Sequence, residues 1–133
     1  MTYLLDTNAW IRFLNQGPNS IKTRLAHIDG SAMRFCSVVK AELLFGAENS
    51  KRKDENLATL DELFKGIESF SFDDKAAVQY SKIRAALAKS GTPIGPNDLM
   101  IAAIALANKA ALVTHNVREF SRVAGLPIED WES

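Results

Sequence analysis

Three acidic residues carry the chemistry that this sequence could do. Asp6 closes the apolar run Tyr3-Leu4-Leu5, where a buried strand would ordinarily pass into a neutral turn. Glu42 lies inside Val38-Val39-Lys40-Ala41-Glu42-Leu43-Leu44. Asp98 opens the apolar stretch Leu99-Met100-Ile101-Ala102-Ala103, directly after Thr92-Pro93-Ile94-Gly95-Pro96-Asn97. Two carboxylates held 4 Å apart repel by about 4 kcal/mol at an effective dielectric near 20, and a bound divalent cation reverses that sign. Oxygen donors of this kind suit hard ions such as Mg²⁺ or Mn²⁺. Such an ion can activate water against a phosphodiester and neutralise the leaving oxygen. One cysteine and two histidines offer no zinc-type spacing. Taken singly, each acid also has a plainer role. Asp6 can cap the following helix, Glu42 can be a solvated helix charge, and Asp98 can answer a helix dipole.

Convergence of the three depends on the elements around them. Tyr3-Leu4-Leu5 reads as a buried strand, and Trp10, Ile11, Phe13 and Leu14 as one face of a helix ended by Gly17-Pro18. Ile21, Leu25 and Ile28 mark a second short helix stopping near Gly30. Phe35 to Ser37 predicts a strand, and Val39 to Glu48 a helix capped by Ser37. Leu57, Leu60 and Phe64 define a helix closed by Gly66, and Glu68 to Phe72 alternates like a strand. Asp73 caps a long helix with Ala76, Tyr80, Ile83 and Leu87 inward, ending at Gly91. Asn97 is read as the cap of a helix from Asp98 to about Ala107. Ala111 to Thr114 forms the next strand, Val117 to Val123 a helix after a turn at Asn116, and Pro127-Ile128 begins an edge strand. This alternation predicts an α/β fold, a parallel sheet covered by helices on both faces. Such sheets bind ligands beyond the carboxyl ends of their strands, the edge shared by Asp6, Glu42, Asp98 and Thr114.

Composition narrows the classes. The 133 residues, 47% hydrophobic, predict a single domain over 1–133 with a core that needs no disulfide. The single Cys36 sits in a strand-like run and reads as a buried hydrophobe, which fits a reducing cytoplasm. No apolar run approaches a membrane span, and Met1-Thr2-Tyr3 has no basic region of a secretory leader. Net charge is zero, and the two halves divided after Gly66 are equally balanced, so a nucleic-acid partner would have to meet a local patch. Lys51-Arg52-Lys53 is the one basic triplet, an RNA-phosphate contact or a solvated turn. His27 reads as a helix-surface residue and His115 as a loop histidine near the proposed edge.

The ordered motifs resemble the PIN-domain ribonucleases, and within them the VapC-type toxins of bacterial toxin–antitoxin pairs. The resemblance covers essentially the whole chain. It rests on Leu4-Leu5-Asp6-Thr7-Asn8, on Ser37 through Ala47 with Glu42 inside, and on Thr92 through Ala103 with Asp98 inside. Leu112-Val113-Thr114-His115-Asn116-Val117-Arg118-Glu119-Phe120, then Gly125-Leu126 and Glu129-Asp130-Trp131, complete it. It implies a three-layer α/β/α fold with a central parallel sheet. It implies a Mg²⁺- or Mn²⁺-dependent endoribonuclease acting on tRNA or rRNA, a homodimer, and a VapB-type antitoxin whose tail enters the acidic groove. By motif position, Asp6 and Asp98 become the principal metal ligands and Glu42 the third acid. A fourth acid often follows the last-but-one strand; here Asn116 holds that position, with Glu119 one helical turn on. Thr7, Ser37 and Thr114 are placed to hydrogen-bond the carboxylates or their waters.

Two other small α/β classes with clustered acids fit less well. A phospho-acceptor receiver domain needs an Asp at the end of a middle strand and a Lys after a late one, and no Lys follows Val113-Thr114. A haloacid-dehalogenase-like phosphatase wants a second Asp at position eight, where Asn8 stands. A PIN-like module that binds without cutting is opposed by the three intact acids.

Overall fold

Five short strands form one sheet in a computed structural model that describes residues 1–132. In chain order they are β1 (Tyr3–Leu5), β2 (Met33–Cys36), β3 (Ser69–Phe70), β4 (Ala111–Val113) and β5 (Ile128–Glu129). Their spatial order is β3-β2-β1-β4-β5, and every pairing is parallel. Leu4, Leu5, Phe35, Leu112 and Val113 are almost wholly excluded from solvent, as expected for strands buried on both faces.

Among the described residues seven α-helices join the strands: α1 (Thr7–Leu14), α2 (Ser20–Leu25), α3 (Ser37–Glu48), α4 (Lys53–Lys65), α5 (Asp74–Ser90), α6 (Pro96–Ala107) and α7 (Val117–Phe120). Parallel crossovers are right-handed. The steps from β1 to β2 and from β2 to β3 therefore carry α1 to α4 over one face. The steps from β3 to β4 and from β4 to β5 carry α5 to α7 over the other. Packing agrees: α3 lies on α1 and α4, and α5 lies on α6. The result is the three-layer α/β/α arrangement. On the first face the indole of Trp10 stacks on Phe35 at 4.2 Å between centroids. On the second, α6 buries Ile101 through Ala105 without interruption. From β1 the chain leaves toward β2, and from β4 toward β5, on opposite sides. The carboxyl ends of β1 and β4 thus flank the topological switch point, where open α/β sheets form their ligand crevice.

Several boundaries differ from the sequence expectation, each for a local reason. Strand β2 ends at Cys36, and Ser37 is the first helical residue rather than the cap; Cys36 occupies the cap position with no side-chain bond. Asn97 is not the cap of α6. Gly95 is, and Pro96 takes the first helical position, where its fixed φ suits a helix and its missing N–H costs nothing. The Leu99 amide closes that turn on the Gly95 carbonyl at 2.9 Å. Ile11 and Leu14 do not share the buried face of Trp10; they are 44% and 36% exposed. Strand β3 keeps only Ser69–Phe70 of the alternating run, and α7 stops at Phe120. Other stops fall as read: Asp73 caps α5 through the Ala76 amide, and Gly91 ends it in the left-handed region at φ 69°.

Candidate active site

Asp6 sits at the switch point because β1 and β4 run in register there. Leu5 pairs with Val113, so the next residues, Asp6 and Thr114, emerge side by side. Thr114 Oγ1 donates to Asp6 Oδ2 at 2.6 Å, and the Ala9 amide donates to Asp6 Oδ1 at 2.9 Å. The second bond is the N-cap of α1. Capping and site geometry are therefore one arrangement: the helix start and the neighbouring strand together fix the plane of the carboxylate. Asp6 is buried, and burial is the largest cause raising its pKa above the ordinary 3.8. The bonds from Thr114 and Ala9 oppose that rise, while the charges of Glu132 and Glu42 add to it.

The other acids approach from the two helical layers. Glu42, in the second turn of α3, is half-buried and accepts a 2.6 Å hydrogen bond at Oε1 from Thr7 Oγ1. Asp98, the third residue of α6, is half-buried, and its pKa is pushed up to about 6. Burial is the main cause, followed by the charges of Glu119, Glu42 and Asp6. Asp98 thus feels the other three acids across a shared edge.

Glu119 is tied into that edge. Its Oε1 accepts from the Gly95 amide at 3.2 Å, just ahead of the Asp98 helix, and its Oε2 accepts from Asn116 Nδ2 at 2.8 Å. The Asn116 amide in turn donates to Thr114 Oγ1 at 3.0 Å. One chain of bonds runs Asp6–Thr114–Asn116–Glu119–Gly95, and Asn116 orients Glu119 within it. Ser37 departs from expectation. It is exposed at the start of α3 and donates to none of these carboxylates among the described residues.

The donor set is entirely oxygen, carboxylates with hydroxyl and amide supports, which fits a hard divalent cation and not a soft one. Among the described residues, no three Asp, Glu, His or Cys side chains close into a ready-made metal cage. A Mg²⁺ site of one or two carboxylates completed by waters and a phosphate needs no such cage.

The basic triplet stands elsewhere. Lys51 and Arg52 lie in the turn between α3 and α4, and Lys53 begins α4. Lys53 pairs with Glu48 at 2.9 Å and Arg52 with Glu55 at 3.8 Å. Sequence reading missed what lies on the other side of Asp6. Asn8, Arg12, His115, Asn116 and Glu132 line a polar cleft of about 560 Å³ that also includes Asp6. Arg12 and Glu132 are 120 positions apart, so no local spacing announces them. Arg12, the one charged residue of the first helix, was the available signal. Cys36 is buried, and burial lifts its thiol to about 11, which leaves it unreactive.

Known proteins resemble this chain in sequence and fold. The tRNA(fMet)-specific endonuclease VapC of Salmonella typhimurium is 39% identical over 131 residues, 98% of either chain. Ribonuclease VapC2 of Rickettsia felis is 37% identical over 133 residues, 99% of either chain. In three dimensions, DNA-bound VapBC from Salmonella typhimurium superposes with a TM-score of 0.91 at 39% identity, covering 98% of both chains. VapBC2 from Rickettsia felis, bound to a promoter fragment, gives 0.90 at 36% identity, covering 98% of this chain and 99% of that one. The PIN domain profile matches residues 3–126, from the start of β1 to just before β5, and the chain belongs to the PIN domain family.

Proposed function

We propose that this chain is a metal-dependent endoribonuclease, the toxin of a VapBC-type toxin–antitoxin pair, cutting tRNA or rRNA to stop translation. The observation that carries the reading is the convergence at the switch point. Asp98 is pushed up to about 6 by burial and by three other acids, a cost that a bound cation would turn to use. The VapC names of its full-length relatives support the same reaction. In this reading Asp6, Asp98 and Glu42 hold Mg²⁺ or Mn²⁺, with Glu119 as a further acid. When bound, the cation supplies positive charge against the phosphodiester and lowers the cost of deprotonating the attacking water. The chain's own residues do the positioning. Thr114 and Ala9 fix the Asp6 carboxylate, Thr7 fixes Glu42, and Asn116 fixes Glu119.

The antitoxin follows from the same reading. The solved relatives are VapBC complexes, and here Ile11, Leu14, Leu43 and Leu60 line an apolar groove of about 530 Å³ that reaches Glu42. That groove suits an apolar helix of a VapB-type partner whose tail could then enter the acidic edge. A homodimer in the cytoplasm completes the proposal. Among the described residues no helix is long and apolar enough to cross a membrane.

The test is cleavage by purified protein. Bulk tRNA and rRNA, incubated with Mg²⁺, Mn²⁺ or EDTA, should yield discrete fragments only with metal, mapped by sequencing RNA 5′ ends. Binding without cutting under all three conditions would leave a non-catalytic RNA module. Expression of the chain should arrest growth, and co-expression of a VapB-type antitoxin that binds it should restore growth.

A further inference from the structure

The polar cleft on the far side of Asp6 shares that residue with the acidic edge and Ile11 with the apolar groove, and its two walls carry complementary chemistry. One wall is the exposed side of α1, with Asn8 and Arg12; the other is the segment after β4, with His115, and the chain near Glu132. Arg12 Nε donates to Glu132 Oε1 at 2.9 Å, which leaves both Nη groups unspent on that carboxylate. The arginine side chain is 59% exposed. The Glu132 side chain is only 10% exposed, so the pair holds the arginine at its inner end, and a phosphodiester oxygen offers the free Nη groups the same acceptor chemistry as a carboxylate. On the opposite wall, His115 Nδ1 lies 3.1 Å from Asp130 Oδ2 and 3.2 Å from Oδ1. A carboxylate only accepts, so the ring proton facing it sits on Nδ1. In the uncharged imidazole, Nε2 is then an acceptor. An acceptor matches a hydroxyl and rejects a phosphate oxygen.

We propose that this cleft seats the ribonucleotide next to the bond being cut, with Arg12 on its phosphate and His115 Nε2 accepting from its 2′-hydroxyl. The assignment rests on the ribonuclease reading and deepens it. It names the strand's path past Asp6 and gives the protein a means of telling RNA from DNA, since the 2′-hydroxyl is the group the two do not share. Arg12 and His115 act here as positioning and specificity residues; neither is asked to move a proton. Glu132 holds Nε and keeps Arg12 aimed along the cleft, with the Nη groups left for phosphate.

The experiment measures binding of a labelled single-stranded oligoribonucleotide and of its deoxy counterpart to an Asp98→Asn protein across a salt series. Arg12→Ala added to that background should weaken RNA and DNA alike and flatten the salt slope by up to about 0.7, the value for one wholly free phosphate contact on a single strand. Arg12→Lys should restore much of the slope. His115→Ala should weaken RNA binding about two- to tenfold and leave DNA unchanged, the span of one neutral hydrogen bond. Glu132→Gln, which removes a negative charge from beside the phosphate site, should tighten both. If Arg12 merely tethers the chain near its end through Glu132, Arg12→Ala will lower Tm and leave the slope alone, and the proposal is overturned. An unchanged RNA-to-DNA ratio in His115→Ala overturns the 2′-hydroxyl assignment. If the Asp98→Asn background binds no RNA at any salt, both this proposal and the ribonuclease reading beneath it fail. Binding by that background with no response to any of the cleft variants sinks the cleft alone.

Discussion

At the residue scale the site is a set of carboxylates in which burial and neighbouring charge raise Asp6 and Asp98, while hydroxyls or amides hold Asp6, Glu42 and Glu119. Asp6→Asn and Asp98→Asn keep shape and remove charge, so each should abolish cleavage while the far-ultraviolet circular dichroism stays unchanged; wild-type turnover by either would refute the ligand assignment. The raised Asp98 pKa has a definite consequence for the metal-free protein. Between 3.8 and about 6 the folded chain binds more protons than the unfolded one. Its stability therefore falls as pH rises through that window, and below the window the penalty is absent. Solvent reaching the half-buried carboxylate screens the effect to ~1 kcal/mol. Asp98→Asn should recover about that amount at pH 7 in urea unfolding with EDTA present, and a loss of stability would contradict the repulsion argument. Protons compete with metal for the same carboxylate, so the Mn²⁺ concentration for half-maximal cleavage should climb as pH drops below about 6. Glu119 gives a finer test. It is bound to Gly95 and Asn116 and charges Asp98. Glu119→Gln should raise the metal requirement without touching the fold, Asn116→Ala should do so more mildly, and Asn116→Asp should lower it. An unchanged titration for Glu119→Gln beside an inactive Asp98→Asn would leave three acids as the whole charged site.

At the element scale the switch between β1 and β4 turns those residues into a site. Asp6 was legible in the sequence because an acid at the end of a buried strand is out of character. Its bond to Thr114 was not, since strand order cannot be read from spacing, and only the parallel register of Leu5 with Val113 makes the two neighbours. Asp98 and Glu42 were legible by their motifs, and their convergence by the α/β alternation. The fold class came through for the same reason, because near-continuous apolar strands alternating with periodic helices leave few other solutions. Helix starts were the weakest reading. At Gly95-Pro96-Asn97 three residues each have a claim on the cap, and proline's fixed φ decides it. Ser37 lost its capping role because the backbone of Cys36 already takes the extended conformation. Thr114→Val tests the element argument. It leaves the strand intact and removes the donor to Asp6, so a buried carboxylate oxygen loses its partner. The cost should be about 1–3 kcal/mol in urea unfolding, with a weakened metal titration alongside. A neutral Thr114→Val would mean that the Ala9 cap alone positions Asp6.

At the scale of the whole molecule, zero net charge and an acidic edge oppose a polyanionic substrate, so association has to be local. Two places offer cations, and their settings differ. The triplet Lys51, Arg52 and Lys53 is conspicuous in the sequence, yet Lys53 is paired with Glu48 and Arg52 with Glu55, and the turn it occupies joins α3 to α4. Arg12 is paired too, with Glu132 through Nε, yet it lines the same cleft as Asp6 and keeps both Nη groups for phosphate. A cation already balanced by a neighbouring acid releases fewer counterions from a nucleic acid than its formal charge suggests, because its gain on phosphate is offset by the acid left behind. Changing the whole triplet to Ala should therefore flatten the salt dependence of RNA binding by well under the roughly 2 expected of three free phosphate contacts on a single strand. The measurement is a log–log plot of affinity against salt for the triplet variant in the Asp98→Asn background, with Arg12→Ala beside it. A drop near 2 for the triplet would move the RNA path onto the α3–α4 side, across the groove that holds Glu42. A small drop for the triplet with a clear one for Arg12→Ala would keep the path on the cleft between α1 and the segment after β4, where the substrate crosses the acids and leaves the apolar groove to the protein partner.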